Sequence, residues 1–191
     1  SLIPMAMPYR IHKYTHLEHH KHVNHPELDP DITTQSNGPW HAIWQSIVQR
    51  QRGKGGALRG YGFVLERIGR SDVLVDGALY QLTFFAILFV CAWNGYALEA
   101  ALLWWLPRHI GMTYIQFFFS WAPHHPAEKL GRYSNARFFK SKIGNIASMG
   151  MQYHLIHHLY PYIPLTDTPR AFREMRPLLE ERGCRFEGDL Q

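Results

Sequence analysis

From Ala78 to Ala122 the chain runs for about 45 largely apolar residues, more than twice the roughly 20 that one membrane-spanning helix needs. Two antiparallel helices account for that length, so the sequence predicts a transmembrane hairpin over about 78–122. A turn between Asn94 and Glu99 gives both helices adequate length but leaves Arg108 and His109 deep in the second one. A turn at Pro107 avoids this and makes the second helix too short. With the turn at Asn94 to Glu99, Arg108 needs a partner or water inside the bilayer.

The charge distribution supports the same reading. Arg50, Arg52, Lys54, Arg59, Arg67 and Arg70 precede the run, and Lys129, Arg132, Arg137, Lys140 and Lys142 follow it. Arg108 is the only Lys or Arg between Val73 and Glu128. Basic residues stay on the cytoplasmic side, so both ends of the hairpin are expected there. The net charge of +5 and pI near 9.3 then fit a membrane surface and not nucleic acid. The mean hydropathy of -0.26 averages an apolar middle with polar flanks and hides the span.

Around the hairpin the pattern is helical, giving an all-α fold in one domain, 1–191. Tyr9 to about Asn24 contains no Pro or Gly and reads as a helix that Pro26 stops. Between Pro39 and Gln51, Trp40, Ile43, Trp44, Ile47 and Val48 fall at i, i+3, i+4, i+7 and i+8, an amphipathic helix suited to lying along a bilayer surface. Gly53 to Gly62 reads as a basic, flexible cytoplasmic loop, since a phosphate-binding loop would need a strand before it. Ser141 to Tyr160 is expected to be helical and to end at Pro161. Thr168 reads as the N-cap of a short last helix, with Pro169 at its first position and Phe172, Met175 and Leu179 on its apolar face. Cys91 and Cys184 suggest reduced thiols, not a disulfide framework. Ser1 to Pro8 reads as the tail of an apolar segment, as in a piece of a longer chain.

Thirteen histidines stand against fifteen Asp plus Glu, and six lie between His12 and His25. His16, His19 and His20 form an HxxHH figure, His154, His157 and His158 form another, and His124-His125 follows the apolar run. Residues at i, i+3 and i+4 share one helix face. The two figures and His124 offer seven imidazoles, more than one zinc takes, which points to two metals, with Fe, Cu, Zn or Ni all compatible. His22, His25, His41 and His109 taken singly read equally well as surface residues. With both hairpin ends cytoplasmic, the three clusters meet at the membrane surface, within reach of a lipid chain.

The segments HLEHHKHVN with the following DPD, the PHH after the apolar run, and QYHLIHHLYPYIP resemble the histidine boxes of the integral-membrane fatty acid desaturase and hydroxylase superfamily. The resemblance covers nearly the whole chain, and the last box is its most specific part. It implies a non-haem di-iron enzyme that uses O2 and two electrons to desaturate or hydroxylate a lipid hydrocarbon chain. By position, His16, His19 and His20 would be the middle box and His154, His157 and His158 the last. His124 would be the additional ligand, with His125 its nearest competitor and His12 supporting a ligand more readily than serving as one. Glu18, Asp29 or Asp31 could orient the far ring nitrogens, or serve only as helix and turn residues. The family's earlier HDxxH box has no counterpart before His12, so the first box is expected to be missing from this chain. The DPD and PHH elements also resemble carotenoid ring hydroxylases and ketolases. The resemblance further implies an electron donor such as a ferredoxin or a b-type cytochrome, for which the basic loops could be the docking surface. Two readings of other classes are a membrane haem electron carrier, which needs isolated facing histidines, and a zinc hydrolase, which needs a catalytic carboxylate as in HExxH.

Overall fold

The computed structural model describes residues 8–51 and 57–190, and these are mostly helical. The apolar tail expected at Ser1 to Pro8 lies outside them except for Pro8, as do Arg52 to Gly56 of the expected basic loop. Helix α1 spans Tyr9–His22, α2 Pro39–Gln51, α3 Ala57–Arg67 and α4 Leu74–Trp93. With the 3-10 turn before α4, Ser71–Trp93 is long and apolar enough to cross a membrane, the one such helix among the described residues.

The chain turns where the sequence places the turn. Gly95 adopts φ 85°, a left-handed conformation that costs glycine little. The N–H of Tyr96 donates to the Cys91 carbonyl at 2.8 Å and that of Gly95 to Ala92 at 3.1 Å, closing the helix end. The return arm is continuous: α5 Ala97–Ala100, a π-helical segment Ala101–Trp105, α6 Leu106–Ile115, a second π segment Gln116–Trp121, and α7 Ala122–His124. Phe84 of α4 meets Trp104 edge-on, ring centroids 5.1 Å apart, and the Arg108 guanidinium lies 4.8 Å above the Phe84 ring. Arg108 thus finds an aromatic face inside the hairpin, a cation–π contact. The outer faces stay apolar and open: Leu82, Phe89, Trp93, Leu98 and Leu103 are all more than 60% exposed. So broad an apolar surface calls for a cover other than water.

The Gly-rich basic stretch departs from expectation, because Ala57–Arg67 is helical. Gly60 and Gly62 weaken a helix by about 1 kcal/mol each relative to Ala. Leu65, fully buried against Ile11 and Val73, provides the packing that outweighs them. Helix α2 buries Ala42 and Ser46 and leaves Trp40 82% and Trp44 64% exposed, so the expected aromatic face points away from the protein.

After α7 the fold is not purely α. Strand β1, Arg137–Phe139, pairs in parallel with β2, Arg185–Glu187, with Phe138 opposite Phe186. The fully buried Phe138 ring lies 4.8 Å from Phe172, so the strand pair builds the floor of the largest core. The helix expected over Ser141 to Tyr160 is also broken. Helix α8, Gly144–Ala147, ends before Met149 and Gly150, whose φ values of 53° and 78° are both left-handed, and a right-handed helix cannot continue through them. A 3-10 turn, Met151–Tyr153, then leads into α9, His154–Leu159. Helix α10, Thr168–Glu181, has Asp167 and not Thr168 at its N-cap position, without a capping side-chain hydrogen bond, and the Thr168 hydroxyl donates to the Leu165 carbonyl at 2.7 Å. Its Phe172 and Leu179 enter the core as the spacing predicts, with Met175 packed against it.

Candidate metal centre

Helix α9 shows why the last box needs its flanking residues. His154, His157 and His158 occupy one face, while Leu155, Ile156 and Leu159 on the other are buried in the core with Phe138 and Phe172. The core fixes the helix roll and thereby aims the imidazoles. Helix α1 does the same with Ile11, which packs on Leu65 and Val73. His124 arrives from the third direction, at the end of the return arm.

The seven imidazoles sort into two groups. His19, His124, His154 and His158 form an inner group, and His16, His20 and His157 an outer one. Each HxxHH motif is divided between them. The middle box sends its i and i+4 residues, His16 and His20, outward and its i+3 residue, His19, inward. The last box does the reverse, with His154 and His158 inward and His157 outward. The groups adjoin, since the His20 and His158 rings stack 4.3 Å apart.

The distances fit metal coordination. In the outer group the Nε2 atoms stand 3.1 Å apart for His16 and His20, 3.1 Å for His20 and His157, and 3.3 Å for His16 and His157. Hydrogen bonds cannot satisfy this triangle, because a neutral ring nitrogen either donates or accepts. Three lone pairs aimed at one point do explain it: with metal–imidazole bonds of about 2.0–2.1 Å, neighbouring nitrogens lie about 3.0–3.4 Å apart. In the inner group His19 and His124 Nε2 are 3.3 Å apart and those of His154 and His158 2.9 Å. The donor set is wholly imidazole, which suits Fe, Cu, Zn or Ni.

The far nitrogens show how the inner rings are held. His19 Nδ1 lies 2.8 Å from Asp29 Oδ1, and His124 Nδ1 lies 3.0 Å from the Asn135 carbonyl. His154 and His158 Nδ1 are buried without a hydrogen-bond partner among the described residues, so their orientation comes from α9 itself. Of the three acids expected near the rings, Asp29 is the one in hydrogen-bond contact with an imidazole of either group. Asp31 stands back, 4.0 Å from His19 Nδ1, and accepts from the Tyr61 hydroxyl at 3.1 Å. Glu18 does not orient an imidazole of either group: it pairs with Lys21 and with Arg67 at 3.3 Å. Asn24 and Asn135 were not among the sequence candidates. Asn24 carries a legible signal, an Asn at a helix end where left-handed backbone is common; a backbone carbonyl such as that of Asn135 carries none.

His12 stacks on His16 at 5.5 Å and joins neither group. His125 turns away, its ring stacked on Trp121 at 4.7 Å. His22 faces Glu18 at 3.7 Å, His25 Nδ1 accepts from the N–H groups of Glu27 and Leu28, His41 contacts Gln45, and His109 reaches the Trp105 carbonyl. Several basic residues are likewise occupied within the fold. Arg70 pairs with Asp72 over the Tyr14 ring, Arg132 donates to the Leu159 carbonyl, and Arg137 donates to the Ala122 carbonyl.

For six of the seven imidazoles the environment favours the neutral form, the one that binds metal. Burial, then the neighbouring His20, His19, His12 and His157, lowers His16 to about 2. Burial, then His157 and His19, lowers His20 to about 3, and burial with His19 lowers His124 to about 3. Burial also holds His154 and His158 well below the usual imidazole value. His19 differs. Burial works against its charged form, but the hydrogen bond to Asp29 and the charges of Asp31 and Asp29 raise it.

A polar cleft of about 470 Å³, lined in part by Lys21, His22, His25 and Arg132, reaches His20 of the outer group and His158 of the inner one. An apolar groove of about 510 Å³ lies between Ile43 and Ile47 of α2 and the return arm from Trp105 to Phe118.

The family model described as fatty acid desaturase matches residues 1–188. No curated protein and no solved structure matches.

Proposed function

The chain belongs to the fatty acid desaturase family, and from that premise we propose that it is a membrane-bound, non-haem di-iron oxidoreductase that desaturates the hydrocarbon chain of a lipid with O2 and two electrons. The observation that carries the reading is the sorting of seven imidazoles into two adjoining groups, each drawing on both boxes. His19, His124, His154 and His158 would hold one iron, and His16, His20 and His157 the other. The irons supply the activation of O2 needed to remove hydrogen from an unactivated carbon. The protein favours the neutral form in six of the seven rings, aims them, and buries His19, His124 and His154 of the inner four.

Three features support the membrane setting. Ser71–Trp93 is long enough to span, its outer face and that of the return arm are apolar, and Trp40 and Trp44 project from α2 as interfacial anchors do. The flanking basic residues favour the cytoplasmic side for the histidines. The apolar groove suits a lipid chain, since its Phe117 and Phe118 lie on the arm that ends at His124. An acidic electron carrier, a ferredoxin or a b-type cytochrome, would meet Lys21 and Arg132 at the polar cleft. No carboxylate belongs to either metal-binding group among the described residues, which argues against a zinc hydrolase, and the clustering argues against paired axial ligands of a haem.

Expression of the full-length gene in cells supplied with fatty acyl lipids or with carotenoids, followed by product analysis, tests the proposal. A new double bond in an acyl chain is expected. An oxygenated carotenoid ring would reassign the substrate to the hydroxylase and ketolase branch, and no oxidised lipid of either class would overturn the reading.

A further inference from the structure

Asn24 sits just beyond the end of α1 with φ 64° and is 5% exposed. Three hydrogen bonds leave it in two directions. Its backbone N–H donates to Asp29 Oδ2 at 2.7 Å, and the other oxygen of that carboxylate holds His19 Nδ1. Its side-chain Nδ2 donates to the carbonyls of Lys129 and Asn135, both at 2.9 Å, and the Asn135 carbonyl also holds His124 Nδ1. One buried residue is thus bonded to both groups that fix the far nitrogens of His19 and His124, ligand candidates 105 positions apart in sequence.

The demands on this position are narrow. The backbone must be left-handed, which Asn and Gly tolerate and most side chains do not. Two carbonyls must receive N–H donors, which Gly and Asp lack and the Asn amide supplies from one nitrogen. The amide oxygen, buried without a partner among the described residues, contributes nothing visible to the link.

We propose that Asn24 is the positioning residue of the inner histidine group, setting the separation of His19 and His124 by clamping the Asp29 carboxylate to the Asn135 carbonyl. The inference rests on the reading of those imidazoles as metal ligands. It does not involve the outer group, and this separates it from a general stabilising role.

Titration of the chain with Co2+, followed by its visible ligand-field bands, tests it. Asn24→Gly keeps the left-handed backbone and the N–H to Asp29 but removes both amide donors. Orienting partners of metal-bound histidines are worth about 10–100-fold in affinity, so one of two binding steps is expected to weaken by about that factor, with a changed band. His154→Ala identifies the inner step. Adding Asn24→Gly to His154→Ala is expected to leave the remaining step as it was. Asn24→Asp, which keeps the volume but faces two carbonyls with a carboxylate, is expected to weaken the inner step at least as much. Equal weakening of both steps, or an inner step and band unchanged in Asn24→Gly, overturns the proposal. Failure of the unsubstituted chain to take up Co2+ overturns the ligand reading and the inference with it.

Discussion

The inner and outer histidine groups are built from the same two motifs, yet the protein treats them differently. Of the inner four, His19, His124 and His154 are 2–3% exposed, and His19 and His124 are fixed from behind by Asp29 and a backbone carbonyl. The outer three are only partly buried, and His20 borders an open cleft. Four nitrogens, three of them on buried rings with the partly buried His158 at the same cleft, come nearer to a closed site than three do. The difference teaches that the HxxHH spacing divides one motif between two groups of imidazoles. Within the shared face a residue at i+3 lies to one side of i and a residue at i+4 to the other, so one helix can supply both groups and two helices interlock.

The comparison is broken most directly by deleting one donor from each side. His157→Ala is expected to abolish activity, a loss of more than about a hundredfold given what even indirect partners contribute, while the inner group keeps its metal. His154→Ala is expected to abolish activity and empty the inner site. Iron per chain by elemental analysis, read beside product formation, checks this. If both variants lose the same iron, the two groups are not separate sites.

Much of this was legible in the sequence, and the reason is local. Residues at i, i+3 and i+4 share a helix face, so each box's imidazoles come together locally, and the chain turns at Gly95 within the expected Asn94 to Glu99. What was not legible depends on contacts distant in sequence. Nothing within Arg137–Phe139 or Arg185–Glu187 marks them as partners, and they pair because Phe138 and Phe186 cover the same core. Ala57–Arg67 looks like a loop because of its glycines and becomes a helix through Leu65. The break at Met149 and Gly150 has a local signal in the glycine, but Met149, left-handed at φ 53°, carries none. Glu18 lies inside a histidine box and suggests a partner for the rings, but its contacts are with Lys21 and Arg67.

Acid should expose the next difference. His16, His20 and His124 fall from an ordinary 6.5 to about 2, about 3 and about 3 in the folded protein. Between those values the unfolded chain binds protons that the folded one does not, so stability drops as pH falls from 6.5 towards about 3. His19 has the opposite sign: its raised value gives a contribution fully present below 6.5 and lost as pH rises through the folded value. The depressed group is the larger, so the metal-free protein is expected to show a Tm that declines steadily from pH 7 to pH 4. A Tm that holds or rises over that range would mean the imidazole clusters are not kept neutral.

The smallest change that should still separate the groups is Asp29→Asn. The Asp29 carboxylate accepts from His19 Nδ1, from the N–H of Asn24 at 2.7 Å and from that of Asp31 at 2.9 Å. The amide keeps one acceptor oxygen and nearly the same volume, so the turn can still form, but the charge that raises His19 is lost. His19 then meets a weaker partner and becomes a weaker, less firmly oriented donor. Affinity of the inner site is expected to fall by about 10–100-fold, or about 1.4–2.8 kcal/mol, with the outer site unchanged. Competition with a chelator of known affinity measures both steps in one titration. Because Asp29 touches only His19 among the seven, an outer site that weakens equally would show that the two centres act as one unit.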